Sequence, residues 1–158
     1  MKICFSIIFS VFFCVSMESQ TIREFSATSL DNNTVTFSSL KGEGLTVLDF
    51  WASWCKPCLK SMPYIEGIYT KYKDQGVSVV GVNTDGPRSQ SKVKPIVKSL
   101  NIHYPIILDM NNNLMNDLNV LSLPTLLIVD KNSKVIYRHE GFVKGDEKRI
   151  EEELEKYL

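Results

Sequence analysis

Two residue types in this chain can do chemistry at a defined spacing. Cys55 and Cys58 are separated only by Lys56 and Pro57, and Asp49 stands six residues before the first of them. Two thiols this close can form a disulfide and exchange it, or contribute half of a metal site. The apolar run 45–50 has the character of a strand, and Pro57 falls where a following helix would have its first turn. The cysteines therefore bracket a helix N-terminus. Unpaired backbone N–H groups and the positive end of the helix dipole there stabilise a thiolate at Cys55, the form that attacks a disulfide. The first cysteine of such a pair is expected at the exposed helix start as nucleophile, with Cys58 turned inward to resolve the mixed disulfide. Lys56, by its charge, and Pro57, by its missing N–H, are placed to tune the couple; the alternative for Lys56 is an ordinary exposed lysine.

Asp49 shares one face of the strand with Val47, while Leu48 and Phe50 share the other. Such a run belongs to a strand covered on both sides, so Asp49 is expected to be buried. A buried carboxyl without a cation has a raised pKa, which suits a group that takes a proton from Cys58 and returns it. The alternative is a carboxyl hydrogen-bonded for structure alone.

A structural zinc held by the same cysteines would need two more ligands. Beyond the leader the only other histidines or cysteines are His103 and His139, which are not in knuckle spacing. No metal site is expected, and both histidines read as ordinary surface or loop residues.

Composition bounds the rest. The chain has 158 residues, 44% hydrophobic and 23% charged, enough for one globular domain with a proper core. Lys plus Arg and Asp plus Glu both number 18, so no basic field points to nucleic acid. Met1-Lys2 and the apolar run behind them have the pattern of a secretory signal. Residues 1–19 are expected to be a signal peptide or an uncleaved N-terminal anchor, and 20–158 one domain. Cys14 is an alternative lipidation site, although Phe13 is large for the preceding position. Removing the leader removes Cys4 and Cys14 and leaves Cys55 and Cys58 alone. An exported protein with only that pair uses it for redox work or metal, since a stapling framework joins distant positions.

The elements that must position the cysteines follow from periodicity. Runs 25–30 and 34–37 flank Asp31-Asn32-Asn33 and predict a hairpin, with 38–44 a connector. Met62, Ile65, Tyr69 and Tyr72 recur at helical spacing, giving an amphipathic helix kinked at Pro63 and ended by Gly76. A buried strand over 77–82 follows, paired parallel to the first. Residues 89–100 predict a helix interrupted or started late by Pro95, then a short strand over 106–108 and a short helix over 111–118. Strands over 125–129 and 134–139 meet at a turn. From Asp146 a surface helix carries Ile150, Leu154 and Leu158 on one stripe.

The run Phe-Trp-Ala-Ser-Trp-Cys-Lys-Pro-Cys over 50–58, behind an apolar strand, resembles the thioredoxin superfamily. The leading hairpin, the helix with Pro63, an insert over about 86–109 and Leu123-Pro124-Thr125 resemble its TlpA/ResA branch, in family order from Glu24 onward. The resemblance implies an α/β, thioredoxin-like fold: a central mixed sheet flanked by helices, with an N-terminal β-hairpin and a central helix-strand insert. It also implies an exported thiol-disulfide oxidoreductase of the bacterial periplasm or outer face of the cytoplasmic membrane. Such a protein needs no cofactor beyond its redox-active disulfide, acts on protein thiols or disulfides and is recharged by a membrane electron donor. Some members reduce apocytochrome c cysteines before haem attachment, others copper-site cysteines or partners in envelope redox pathways. Asp49 matches the buried acid of ordinary thioredoxins. Ser61 departs from several ResA-like members, which carry a glutamate three residues after the second cysteine, and this weakens the apocytochrome assignment.

The resemblance further places a cis peptide bond at Leu123-Pro124, facing the cysteines, with the Leu123 main chain free to pair with a substrate segment. The alternative is a trans proline that opens a strand. Trp54 is a candidate surface for docking apolar substrate residues, and Trp51 reads as core. Competing functions are a copper-site assembly protein, which would favour C-x-x-x-C and a nearby histidine, and a disulfide oxidase or isomerase. Peroxide reduction wants a lone cysteine with a threonine upstream, which Cys55 does not offer.

Overall fold

The computed structural model describes residues 20–158; the expected leader 1–19, with Cys14, lies outside the described residues. Strands β1 (Ser26–Ser29) and β2 (Thr34–Thr36) form the expected antiparallel hairpin, with Asn32 at φ 63° in the turn. Asparagine tolerates that left-handed conformation, which lets so short a turn close. The expected plain connector begins instead with a one-turn helix, α1 (Phe37–Leu40). The Thr36 hydroxyl accepts the Ser39 N–H, and the Thr36 N–H donates to the Ser39 hydroxyl, a reciprocal cap with serine where glutamate or glutamine is usual. Burial of Phe37 holds the turn in place.

All seven residues of β3 (Leu45–Trp51) are buried, and the chain passes through a turn into α2 (Lys56–Tyr72), with Pro63 inside it. A 3-10 turn over Lys73–Gln75 and Gly76 at φ 82° end that helix and return the chain to β4 (Val77–Asn83). A second 3-10 turn over Gln90–Lys92 precedes α3 (Val93–Ser99), so Pro95 sits in the first turn of the helix, where its missing N–H costs nothing. Then come β5 (Ile106–Leu108), α4 (Asn113–Asp117), β6 (Thr125–Asp130), β7 (Val135–Glu140) and α5 (Asp146–Glu155).

The sheet order is β2-β1-β5-β4-β3-β6-β7. β3 pairs parallel with β4, and β4 with β5; the remaining pairings are antiparallel, which makes the sheet mixed. The alternation along β3 divides the interior in two. Val47 and Trp51 join Cys58, Met62 and Ile65 of α2 and Ile150 and Leu154 of α5 on one face. Leu48 and Phe50 join Phe37, Val80, Ile107 and Leu127 on the other. Each fully buried aliphatic side chain contributes roughly 1.5–3 kcal/mol of transfer free energy. Leu158 does not extend the α5 stripe, because the helix stops at Glu155 and leaves that side chain 51% exposed.

Two ties fix the periphery. At the far end of α2, the Tyr72 hydroxyl donates to Glu151 at 2.9 Å and to Glu155, and the Lys71 ammonium lies 2.6 Å from Glu151. At the edge of the sheet, residues just before the hairpin lie along the start of β7: Thr21 pairs with Lys134, and the Val135 N–H donates to the Gln20 carbonyl at 2.8 Å. The Gln20 side chain also donates to the Asp117 carbonyl and accepts from Arg138. No helix among the described residues is long and apolar enough to cross a membrane.

Candidate active site

Cys55 is the N-cap of α2, and Cys55 and Cys58 are joined in a disulfide with their Cα atoms 5.3 Å apart. The Cys58 N–H donates to the Cys55 sulfur at 3.3 Å. The sulfur thus takes the place of the side-chain oxygen that usually caps a helix, and Pro57 occupies the first turn as expected. Cys55 is itself buried in the disulfide, with 4% of its surface open, where an exposed position was expected, because the closed bond draws its sulfur against Cys58. Cys58 has no open surface at all, so any attack from outside reaches Cys55. Neither the Lys56 side chain nor Trp54 is covered; Trp54 is 68% exposed, whereas Trp51 is fully buried.

The turn that carries these residues hangs on Asp85, at the end of β4, which the sequence alone did not single out. Its carboxylate accepts the Ser53 N–H and the Ser53 hydroxyl, each at 2.7 Å, and the Asn83 side-chain amide at 2.8 Å. Asp85 is completely buried, and the Thr84 N–H donates to the Trp51 carbonyl at 2.9 Å beside it. A buried carboxylate with three donors is satisfied and fixes the chain between β3 and Cys55.

Asp49 is buried, as expected, and faces α2. Together with Ser61, Ile65, Pro124, Leu126 and His139 it lines a small pocket of about 10 Å³. Ser61 and Ile65 follow Cys58 at three and seven residues on the buried stripe of α2, which puts the acid under the same stripe as the resolving cysteine. Burial pushes the Asp49 carboxyl up to about 7, opposed by a hydrogen bond from the Tyr104 hydroxyl at 3.4 Å. The carboxyl therefore changes charge near neutral pH. Ser61, at the position where the resemblance would imply a glutamate, is buried and donates its hydroxyl to the Cys58 carbonyl at 2.9 Å.

Leu123-Pro124 is a cis peptide, and Pro124 lines the Asp49 pocket just before β6. The Pro124 carbonyl accepts from Gly141, whereas the Leu123 main chain makes no hydrogen bond among the described residues. Nor do three His, Cys, Asp or Glu side chains come together among those residues in a group able to hold a metal.

The Redoxin family profile matches residues 17–154. A thiol-disulfide oxidoreductase ResA from Bacillus thuringiensis subsp. konkukian is 35% identical over 134 residues, covering 85% of this chain and 72% of its own. The chain belongs to the Redoxin family, in its ResA-like branch. Solved structures agree. A Chlorobium tepidum protein assigned as the thiol:disulfide interchange protein DsbE superposes with a TM-score of 0.80 at 27% identity, covering 88% of this chain and 96% of that one. A Bacteroides thetaiotaomicron protein assigned as a protein disulfide isomerase gives 0.77 at 28% identity, covering 89% of each. The ResA-like chain is accordingly a thiol-disulfide oxidoreductase, with Cys55–Cys58 as its redox-active disulfide and protein thiols and disulfides as substrates.

In this ResA-like framework the burial of Cys58 and Asp49, the exposure of Trp54, the place of Pro57 and the cis bond at Pro124 are as expected, whereas the exposure of Cys55 and the setting of His139 are not. The His139 side chain is buried, not a surface or loop residue. It sits on β7 under α5, with Nε2 3.2 Å from Asp146, off the line of a hydrogen bond, and Nδ1 3.0 Å from Arg149. His103 is exposed as expected and meets Glu66 at 2.9 Å. Asp85 could have been suspected from its place two residues beyond a buried strand that runs beside the motif. The Asp49 partner Tyr104 left no local signal.

Proposed function

We propose that the protein is an exported reductant of protein disulfides, and the arrangement of Cys55 at the α2 N-terminus above a buried Asp49 carries the proposal. The Cys55 thiolate attacks one sulfur of a substrate disulfide, forming a mixed disulfide and expelling the other substrate sulfur as thiolate. Cys58 gives its proton to the Asp49 carboxylate and attacks the Cys55 sulfur. The second substrate thiol leaves, and the Cys55–Cys58 disulfide closes. Two electrons have passed from the protein dithiol to the substrate. A dithiol donor at the membrane restores the reduced form by the reverse exchange.

Substrate contacts fall to the exposed Trp54 and to the unpaired main chain of Leu123 beside Pro124, which offers strand-like pairing to a segment carrying a cysteine. Lys56 and Pro57 adjust the potential. The buried hydroxyl of Ser61, in place of an acid, favours envelope redox homeostasis over apocytochrome c maturation as the setting. Residues 1–19 provide the export signal or anchor.

A trapping experiment tests this reading. Cys58→Ala removes the resolving thiol, and the mature protein is expected to hold its substrate on Cys55 as a mixed disulfide. Recovery of no such adduct from the native envelope, or of adducts on cytosolic proteins only, overturns it.

A further inference from the structure

Among the described residues Asp49 has one side-chain hydrogen-bond partner, and it comes from the insert between β4 and β5. The sheet register explains how that partner reaches it. Asp49 lies opposite Gly81 on β4, and Gly81 lies opposite Ile106 on β5. A Cβ at Gly81 would stand 3.0 Å from the Tyr104 ring and 2.4 Å from Ile106 Cδ1. The missing side chain on β4 thus leaves the space through which Tyr104 extends to the acid. The ring is itself buried and packs edge-on against Tyr69 of α2, with centroids 6.3 Å apart.

The main chain that presents Tyr104 is held separately. Glu66 of α2 accepts the His103 N–H at 2.8 Å and the Tyr104 N–H at 3.4 Å, and the Gly81 N–H donates to the Pro105 carbonyl at 2.8 Å. One helix therefore carries the resolving cysteine and, two turns on, the residue that fixes the insert.

We propose that Tyr104 is the positioning residue for Asp49, holding its carboxylate in place under α2 and stabilising its ionised form by donating a hydrogen bond, with Glu66 as the anchor. The catalytic consequence rests on the proton relay proposed above. Burial and the neighbouring Asp49 charge keep the Tyr104 hydroxyl protonated, so it acts as a donor throughout the range in which Asp49 titrates. Among the described residues, the other ionisable groups around the Asp49–Tyr104 pair are Cys58, held in the disulfide, Glu66 on α2, which faces Tyr104, and His139 on β7, which Asp146 and Arg149 of α5 engage. None of them donates to Asp49.

The test follows the Asp49 carboxyl directly, by its carbon NMR shift against pH, alongside turnover against pH. Tyr104→Phe keeps the ring and its packing. It is expected to raise the Asp49 midpoint by about 0.5–1 pH unit, a roughly three- to ten-fold change in the ionisation equilibrium, less than a full-strength charged hydrogen bond would give because this one is longer than usual. Glu66→Gln, which keeps one acceptor for the insert, is expected to move it the same way by less. Turnover should shift with the midpoint, and Tyr104→Phe should add nothing in an Asp49→Asn background. Coincident midpoints for the wild type and Tyr104→Phe overturn the proposal. A moved midpoint with an unmoved turnover profile supports the assignment of Tyr104 to Asp49 and overturns the relay instead.

Discussion

Asp85 holds Ser53 by both of its backbone and side-chain donors, each 2.7 Å from the carboxylate, and Ser53 lies two residues before the attacking cysteine. The position of Cys55 is thus set from the end of β4, by a residue that never touches sulfur. Asp85→Asn would point an amide donor at donors. It is expected to cost about 2–3 kcal/mol, the scale for losing charged hydrogen bonds in a buried site, and to slow disulfide exchange. Urea unfolding and a disulfide-reduction assay check it; wild-type values in both would show that the turn holds without the carboxylate.

Asp49 binds its proton more tightly in the folded chain than in the unfolded one, 3.8 rising to about 7. The stabilising contribution of that proton is complete below the unfolded value and is lost as pH rises through the folded one. Asp49→Asn is therefore expected to stabilise the protein above pH 7 by up to about 4 kcal/mol and to change little near pH 4. The same variant should slow exchange near neutral pH. Denaturant melts at the two pH values measure the first effect. A rate unchanged between about pH 6 and 9 would leave Asp49 a structural residue.

Cys55 is expected to be the more reactive thiol of the reduced protein, with a pKa below the free value of about 8.5. The Cys58 N–H that meets its sulfur in the disulfide is placed to meet the thiolate as well. Alkylation against pH, read by mass, gives both the order and the value. Modification of Cys58 first would reverse the two roles.

The potential is expected nearer to that of thioredoxin, about −270 mV, than to that of the oxidant DsbA, about −120 mV. Lys56 acts in the oxidising direction, because its charge favours the thiolate and so the reduced form. An exposed charge near a helix end contributes roughly 0.3–1 kcal/mol, which is about 6–20 mV for two electrons. Closing the gap of about 150 mV would take on the order of 7 kcal/mol, and the motif has no histidine or cluster of charges to supply it. Equilibration with glutathione or dithiothreitol gives the number. A value above about −180 mV, the region of protein disulfide isomerase, would make the protein an oxidase or isomerase.

What the sequence revealed about this site was local in origin. Alternation along 45–50 announced a strand covered on both sides and hence the burial of Asp49, and Pro57 announced the start of α2. Asp85 and Tyr104 were hidden because their partners arrive through the pairing of β3, β4 and β5, which no local period encodes. His139 misled for a similar reason. β7 mixes polar and apolar residues like a surface strand, and the cover over His139 comes from α5. Leu158 failed in the opposite sense, since its spacing continues the stripe of Ile150 and Leu154 but the helix ends first. The cap made by Thr36 and Ser39 was present in the sequence, in a less common pairing.

The bonds that pin Gln20 to the start of β7 also give the domain an orientation. Val135 lies opposite Val129, and Val129 opposite Thr46, so Gln20 is held at the end of the sheet where β3 begins. The cysteines follow the other end of that strand, seven residues and roughly 20 Å along it. A tether fastened at Gln20 would therefore keep the disulfide on the side away from whatever surface it was anchored to, facing approaching partners.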